Sequence, residues 1–94
     1  MDIHSVVLSK LVLSNLKKLP EHIVTKLLSW VDAIEHTGLI TVRKLPGYHD
    51  EPLKGNRKGQ RSIRLSRAYR AIYRIKEDGD IEIIEVMEVS KHDY

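Results

Sequence analysis

Residues 51–76 read EPLKGNRKGQRSIRLSRAYRAIYRIK, and this stretch decides the fold because it contains two strand patterns joined by a turn. In residues 60–66 the apolar side chains Ile63 and Leu65 alternate with polar ones, and residues 69–76 alternate again. A period of two is the pattern of a β-strand with one buried face. The stretch therefore predicts two antiparallel strands that share one apolar face and one polar, open face.

The same stretch carries an unbalanced charge. Residues 52–76 contain nine Lys or Arg and no acid, whereas residues 77–94 contain seven acids and one Lys. Several arginines on neighbouring strands favour a surface that binds an anion, and phosphate is the commonest anion that takes several guanidinium groups. A solvated basic strand pair without any ligand is the alternative explanation of this charge.

Upstream of this stretch, the spacing of apolar residues predicts one strand and two helices. Residues 3–8 are expected to form the strand, Pro20 to separate the helices, and Gly38 to end the second one. The helical stripes recur every three or four positions, with Leu8, Val12, Leu16 and Leu19 in the first helix and Ile23, Leu27, Val31 and Ile34 in the second. Residues 39–45 are expected to add a short turn of helix.

Two further strands complete the prediction. Residues 48–54 are expected to form a short strand, which Pro52 restricts to a sheet edge or a strand end. Asp78-Gly79 predicts a tight hairpin turn, after which residues 81–89 read as a central strand that is mostly apolar on both faces. Its burial cannot be complete, because Glu82, Glu85 and Glu88 interrupt the apolar run.

These elements predict an α+β fold: an N-terminal strand, then a helical hairpin packed on one face of a mostly antiparallel sheet of four or five strands. A single domain over residues 1–94 is expected from the length. The uncovered face of the sheet would carry Arg64, Arg70 and Arg74, held on rigid strands.

Composition narrows the classes of function. The chain has a net charge of +3, a pI of about 9.3 and no cysteine, so disulfides and thiolate chemistry are excluded. We see no membrane-length apolar run and no signal peptide, and therefore expect a cytoplasmic protein without a membrane partner. The five histidines show no metal-ligand spacing, so we expect no metal and no cofactor.

Four residues have the chemistry needed to cleave RNA. A base must take the proton of a 2′-hydroxyl, an acid must protonate the leaving 5′-oxygen, and cations must balance charge on the phosphorane. Glu51 is the candidate base, His92 the candidate acid and Arg70 the candidate phosphate ligand. Tyr94 is the candidate for stacking on a base.

Seven further cations are predicted to bind RNA or phosphate: Lys54, Arg57, Lys58, Arg61, Arg64, Arg74 and Lys91. Ordinary structural roles remain open for three of the four catalytic candidates. Glu51 could pair with Lys54, Arg70 could pair with Glu82 or Glu85, and the chain-terminal His92 could fray. Among the other histidines, only His49 has an open role, because it stands two residues before Glu51.

Several motifs together resemble the RelE/ParE superfamily of bacterial toxin–antitoxin toxins, and within it the HigB- and YoeB-like messenger-RNA interferases. Pro46-Gly47-Tyr48, followed by residues 52–55 and 57–59, is similar to the HigB pattern, and residues 51–54 resemble the YoeB segment with the general base. Tyr69-Arg70 resembles the phosphate-binding arginine of the superfamily.

The resemblance implies a toxin of a type II toxin–antitoxin pair, an endoribonuclease that cleaves messenger RNA in the ribosomal A site and binds a cognate antitoxin. It also implies that His92 and Tyr94 serve as acid and stacking group, although Asp93 separates them here, unlike in either group. RelE itself relies on lysines, and Lys54, Lys58 and Lys91 keep that chemistry open. A ParE-like gyrase inhibitor and a non-catalytic RNA-binding module are the alternatives on the same fold.

Overall fold

A computed structural model of the chain describes residues 2–91, in which five β-strands and three α-helices are present. The elements are β1 (Val6–Leu8), α1 (Lys10–Asn15), α2 (Glu21–Thr37), α3 (Leu39–Val42), β2 (Glu51–Pro52), β3 (Gln60–Arg64), β4 (Tyr69–Asp78) and β5 (Ile81–Lys91). Short 3-10 turns occur at Leu16–Lys18, Pro46–Tyr48 and Gly55–Arg57. The predicted α+β class is confirmed. Within residues 2–91, no helix is both long and apolar enough to cross a membrane.

The strands form one sheet in the order β1-β5-β4-β3-β2. β1 runs parallel to β5, and the other three pairings are antiparallel, so the predicted, mostly antiparallel sheet is confirmed. The predicted Asp78-Gly79 hairpin joins β4 to β5 and brings Ser90 opposite Arg70. β5 lies between β1 and β4 and is therefore an interior strand of the sheet.

The core lies between one face of this sheet and the helices. Four buried side chains of α2 form its apolar stripe: Ile23, Leu27, Trp30 and Ile34. They pack against a second set from the sheet, which includes Ile63, Ala71, Tyr73, Ile84 and Val86. The Trp30 and Tyr73 rings lie 5.2 Å apart between centroids. Burying one side chain of the size of Leu27 contributes about 1.5–3 kcal/mol, so this face is the main source of stability.

One polar side chain joins α1 to the sheet, and another joins the N-terminal segment to α3. Ser9 caps α1 because its hydroxyl accepts a hydrogen bond from the Val12 amide, and the same hydroxyl donates to the Met87 carbonyl on β5. At the other end, the Asp2 carboxylate accepts hydrogen bonds from the amides of Ile3 and Ile40. Gly38, with φ of 95°, separates α2 from α3 next to Asp2.

Some elements are shorter than predicted. The first helix ends at Asn15 and continues as the 3-10 turn Leu16–Lys18, since Leu19 precedes Pro20 and is extended. β2 has two residues instead of seven, because Pro46–Tyr48 forms a 3-10 turn and His49 is left-handed. β2 nevertheless lies at the sheet edge, as Pro52 predicts.

β5 is a central strand, as predicted, and its incomplete burial is more one-sided than the sequence indicates. Only Ile84 and Val86 on this strand are buried, and Ile81 is 60% exposed. The helices cover one face of the sheet, and β3 pairs with β4 only as far as Arg74, so the hairpin tip extends beyond β3. An extra residue, Met87, forms a bulge in β5 opposite Ile72 and Tyr73.

Candidate active site

Glu51 and Arg70 come together on the open face of the sheet, which is the face opposite the helices. β2 pairs with β3 so that Glu51 lies opposite Ser62. The Arg70 guanidinium donates a hydrogen bond of 3.2 Å to the Ser62 hydroxyl, and its Nη1 lies 3.7 Å from Oε1 of Glu51. The carboxylate is 60% exposed while Arg70 is 21% exposed. A reachable carboxylate therefore lies beside a cation that the sheet holds in place.

A second arginine completes a cationic pair on this face. Arg64 is the register partner of Arg70, and directly opposed residues on antiparallel strands have Cα atoms about 4.5–5.5 Å apart. The two arginine side chains therefore leave neighbouring backbone positions on the same face, where both can contact one bound anion. The Arg64 Nη1 also lies 3.5 Å from Nε2 of His49. His49 has φ of 46°, an uncommon left-handed backbone for a residue other than glycine.

Three of the arginines predicted to bind RNA make ion pairs with acids of the protein. The pairs are Arg57 with Glu88, Arg61 with Asp50, and Arg74 with Glu85. Although partial burial favours the neutral acid, the hydrogen bond from Arg74 and the nearby Lys76 lower the pKa of Glu85. Acids of β5 therefore balance part of the positive charge on the neighbouring strands.

Arg61 differs from the other two because it points away from the open face. Its side chain shares the helix-covered face with Tyr73, its register partner, and its Nε donates to Oδ1 of Asp50 at 2.6 Å. The Tyr73 hydroxyl donates to Oδ2 of the same carboxylate, also at 2.6 Å. The Asp50 side chain is 0% exposed. Arg61, which the sequence predicts to bind RNA or phosphate, thus has an interior carboxylate as its partner and does not share the open face with Arg64 and Arg70.

The pKa values of this cluster follow from its burial and its charges. Burial first, and then the hydrogen bond to Asp50, raise the pKa of the Tyr73 hydroxyl well above its usual range. Burial disfavours the charged form of Arg61, but the hydrogen bond and charge of Asp50 outweigh it and raise the pKa of the guanidinium. Breaking a buried ion pair by removing one partner typically costs about 3–5 kcal/mol, so these three groups are expected to remain together.

The other predicted cations are exposed. Lys54 follows β2, Lys58 precedes β3, and Lys91 lies opposite Tyr69 on β5. Within the part of the chain that the structure describes, these three lysines form no ion pair. His92 and Tyr94, the predicted acid and stacking group, lie outside the described residues.

Three residues near the site were not among the predicted site residues. Ser62 is 1% exposed and accepts the hydrogen bond from Arg70. The sequence does indicate that Ser62 is near the site, because the alternation of residues 60–66 places it on the same polar face as Arg64. His49 and Asp50 are the two residues between the Pro46–Tyr48 turn and Glu51. No pattern in the sequence indicates their contacts. Among residues 2–91, no group of three His, Cys, Asp or Glu side chains is placed to hold a metal ion.

The arrangement matches the needs of phosphodiester chemistry. A carboxylate next to two facing guanidinium groups provides a proton acceptor and the charge that stabilises an anionic transition state. The sheet supplies Glu51 at the start of β2 and the Arg64–Arg70 pair, and the loop before β2 supplies His49.

The comparisons with known proteins agree with the fold. The solved structure of YafQ from E. coli strain BL21(DE3) is similar with a TM-score of 0.72 and 16% identity, covering 95% of this chain and 93% of that chain. The YoeB/ParE toxin from Agrobacterium tumefaciens has a TM-score of 0.68 and 21% identity, covering 95% and 99% of the two chains. No curated protein matches the sequence significantly.

A third similar structure is the toxin–antitoxin complex RelBE2 from Mycobacterium tuberculosis, with a TM-score of 0.67 and 21% identity over 96% of this chain and 99% of that chain. At these identities the similarity concerns the fold. The family match is stronger: the model of the ParE toxin of the type II toxin–antitoxin system parDE matches residues 6–93, from β1 through β5. The chain therefore belongs to the ParE toxin family of type II toxin–antitoxin systems, within the RelE/ParE superfamily.

Proposed function

We propose that this toxin is an endoribonuclease that cleaves messenger RNA by attack of a 2′-hydroxyl on the adjacent phosphate. The observation that carries the proposal is the contact of Glu51 with Arg70, beside Arg64, on the open face of the sheet. A toxin that acts only by binding a protein has no evident need for an exposed carboxylate held beside two facing guanidinium groups.

In the proposed reaction, the Glu51 carboxylate accepts the proton of the 2′-hydroxyl. The 2′-oxygen forms a bond to phosphorus, the bond to the 5′-oxygen breaks, and the leaving oxygen takes up a proton. Arg70 and Arg64 balance the negative charge that grows on the phosphate oxygens. The products are a 2′,3′-cyclic phosphate and a 5′-hydroxyl. By resemblance to the family we assign the proton donation to His92 and base stacking to Tyr94.

The partners in this proposal are a cognate antitoxin, messenger RNA and the ribosomal A site, all in the cytoplasm. The support for an antitoxin is the family itself and the RelBE2 structure, which is a toxin–antitoxin complex. The support for RNA is the positive charge of the open face, where Arg64, Lys54 and Lys58 have no acidic partner among residues 2–91.

A ParE-like inhibitor of DNA gyrase is the second candidate, and the match of the ParE family model favours it. This activity would need a surface for a protein partner and would not need Glu51 as a base. The two candidate functions therefore predict opposite effects of removing the Glu51 carboxylate on the activity of the toxin.

The test is induced expression followed by primer extension on cellular messenger RNA, with a supercoiling assay of purified gyrase in parallel. The nuclease proposal expects discrete cuts for the parent and none for Glu51→Gln, which keeps the size of the side chain and removes its basicity. Uncut RNA together with inhibited supercoiling by both proteins would establish the gyrase candidate instead.

The chemistry has its own test on purified ribosomes programmed with a short message. A 2′-deoxy sugar at the cut position should block cleavage, because the nucleophile is missing. EDTA, with ribosomes kept intact by polyamines, should leave the rate unchanged. Cleavage of the deoxy substrate would contradict attack by the 2′-hydroxyl.

A further inference from the structure

The position of Glu51 needs an explanation, because β2 is too short to hold it. Only Glu51 and Pro52 pair with β3, and both are exposed at the edge of the sheet. After them, the Leu53 amide donates to the Gln60 carbonyl at 2.9 Å, which fixes the C-terminal side of the segment. On the N-terminal side, the preceding residue is Asp50.

The Asp50 side chain is the most buried one in residues 50–53. It is 0% exposed, and its two carboxylate oxygens take hydrogen bonds of 2.6 Å from Arg61 on β3 and Tyr73 on β4. The residue directly before Glu51 is therefore attached to two strands of the sheet. Successive residues of an extended segment point to opposite faces, so an inward Asp50 turns Glu51 outward, towards Arg70.

We propose that Asp50, Arg61 and Tyr73 are positioning residues that hold the Glu51 carboxylate beside Arg70; we name these three residues the Asp50 clamp. The predicted effect on cleavage rests on the proposed function, whereas the predicted effect on β2 does not. The clamp gives Arg61 a role in the site without contact to RNA. It also explains why a buried carboxylate lies one residue from an exposed one.

The Tyr73 hydroxyl is the part of the clamp that can be removed with the least damage. The Tyr73 ring packs against Trp30, and Tyr73→Phe keeps this contact while it deletes the hydrogen bond to Asp50. Tyr48 also packs against the core, and its ring lies under the Lys26 ammonium at 4.8 Å. Tyr48→Phe is therefore the matched control, a hydroxyl deletion outside the clamp.

The first measurement is single-turnover cleavage, with RNA affinity determined separately. Misplacement of a catalytic group by about 1 Å can cost about a hundredfold in rate, so we expect Tyr73→Phe to lower kcat ten- to a hundredfold. KM and RNA affinity should stay close to the parent's, and Tyr48→Phe should match the parent throughout. A Tyr73→Phe protein that cleaves at the parent's rate would overturn the role in catalysis.

The second measurement is amide hydrogen exchange, which needs no activity. In Tyr73→Phe the amides of Asp50, Glu51 and Leu53 should exchange faster, while those in the middle of β4 and β5 keep the protection of the parent. Unchanged exchange in residues 50–53 would refute the clamp even if the protein is not a nuclease. Faster exchange throughout the sheet would also refute it, because the hydroxyl would then support the whole fold.

Arg61 and Arg64 provide a third, paired measurement on RNA binding. Removing one phosphate contact lowers the salt slope of single-strand binding by about 0.7. Arg64→Gln should show this loss, while Arg61→Gln, which keeps a donor for Asp50, should keep the parent's slope and lose cleavage rate. An equal loss of slope in both variants would place Arg61 among the RNA contacts and overturn its assignment to the clamp.

Discussion

Arg70 and Arg74 lie four residues apart on the same strand and the same face, but their partners differ. Arg70 contacts Ser62 and Glu51, whereas Arg74 donates to Glu85 at 2.9 Å. Removing a preorganised donor from a transition state costs about a hundred- to a thousandfold in rate. Arg70→Gln should therefore lose at least a hundredfold in cleavage, and Arg74→Gln less than tenfold, with both melting temperatures close to the parent's. Equal losses in the two variants would contradict this difference in role.

His49 is the histidine nearest to the Arg64–Arg70 pair among residues 2–91. Its backbone is left-handed, a conformation that asparagine tolerates better than most residues. His49→Asn should therefore fold like the parent and lose only the imidazole next to Arg64. If this ring contacts the RNA phosphate, affinity should fall about tenfold, which corresponds to one good hydrogen bond of about 1.4 kcal/mol. Unchanged affinity in a fluorescence titration would exclude the contact.

At the residue scale, the sequence predicts the pairing of functional groups better than the direction of individual side chains. It brings Glu51 and Arg70 to one face through strand order and alternation. For Arg61 two signals conflict: alternation puts it on the face of Ile63, while its charge favours the open face. Its buried partner Asp50 resolves the conflict, and the path of that residue depends on a left-handed His49 that no pattern indicates.

At the scale of elements, alanine substitutions at three glycines distinguish the cost of backbone strain from the cost of a steric clash. Gly38 has φ of 95°, and a Cβ there would lie 2.1 Å from the Asp2 carboxylate. Gly79 has φ of 66° with open space around it, and Gly47 has open space without a positive φ. Thermal unfolding should rank Gly38→Ala as most destabilising, Gly79→Ala as intermediate at about 1 kcal/mol, and Gly47→Ala as near neutral. A Gly38→Ala protein as stable as Gly47→Ala would contradict the contact with Asp2.

The Asp2 carboxylate also predicts that the stability of the fold depends on pH. Hydrogen bonds from backbone amides, chiefly that of Ile40, lower the pKa of Asp2 below its ordinary value of 3.8. A lowered pKa stabilises the folded state above pH 3.8, and this contribution disappears as the pH falls through the folded-state pKa. The difference in unfolding free energy between the parent and Asp2→Ala should thus be largest above pH 4 and shrink below it. A constant difference from pH 2 to 7 in urea titrations would rule out the ionised carboxylate as its source.

The sequence predicts which helices and strands are present better than it predicts where they begin and end. The period of the apolar residues indicates both helices and the β3, β4 and β5 strands, because burial on one face imposes that period. The short β2 and the 3-10 turns before it depend instead on contacts with distant parts of the chain, such as Asp50 with Tyr73. A pattern within a few residues does not contain those contacts.

For the whole molecule, the charge boundary in the sequence is not a boundary in space. The basic residues 52–76 and the acids of β5 become neighbours through the hairpin, which pairs Arg74 with Glu85 and brings Glu88 within reach of Arg57. Within residues 52–76, acids outside the site pair with Arg57, Arg61, Arg74 and Lys76, so the surface that we assign to RNA in this stretch consists of Lys54, Lys58, Arg64 and Arg70. The sequence predicts the presence of this surface, while its size depends on strand register.

This smaller surface predicts the salt dependence of RNA binding. Four phosphate contacts to a single strand give a slope of log K against log salt of about −3, whereas all nine cations of residues 52–76 would give about −6. Fluorescence anisotropy with a 2′-O-methyl oligonucleotide, which resists cleavage, measures the slope. A value near −6 would mean that all nine of these cations contact RNA, which requires displacement of the acids from Arg57, Arg61 and Arg74.

The parallel pairing of β1 with β5 has a consequence for biosynthesis. Val6 pairs with Ile84, so the first strand to leave the ribosome pairs with the last strand of the sheet. During translation β1 has to wait, with its edge unpaired, until nearly the whole sheet has emerged. The same β5 flanks β4 and Arg70, so the strands around Arg70 are not all in place before β5 has emerged. Under the proposed function, a nascent chain therefore lacks a complete cleavage site for most of its synthesis.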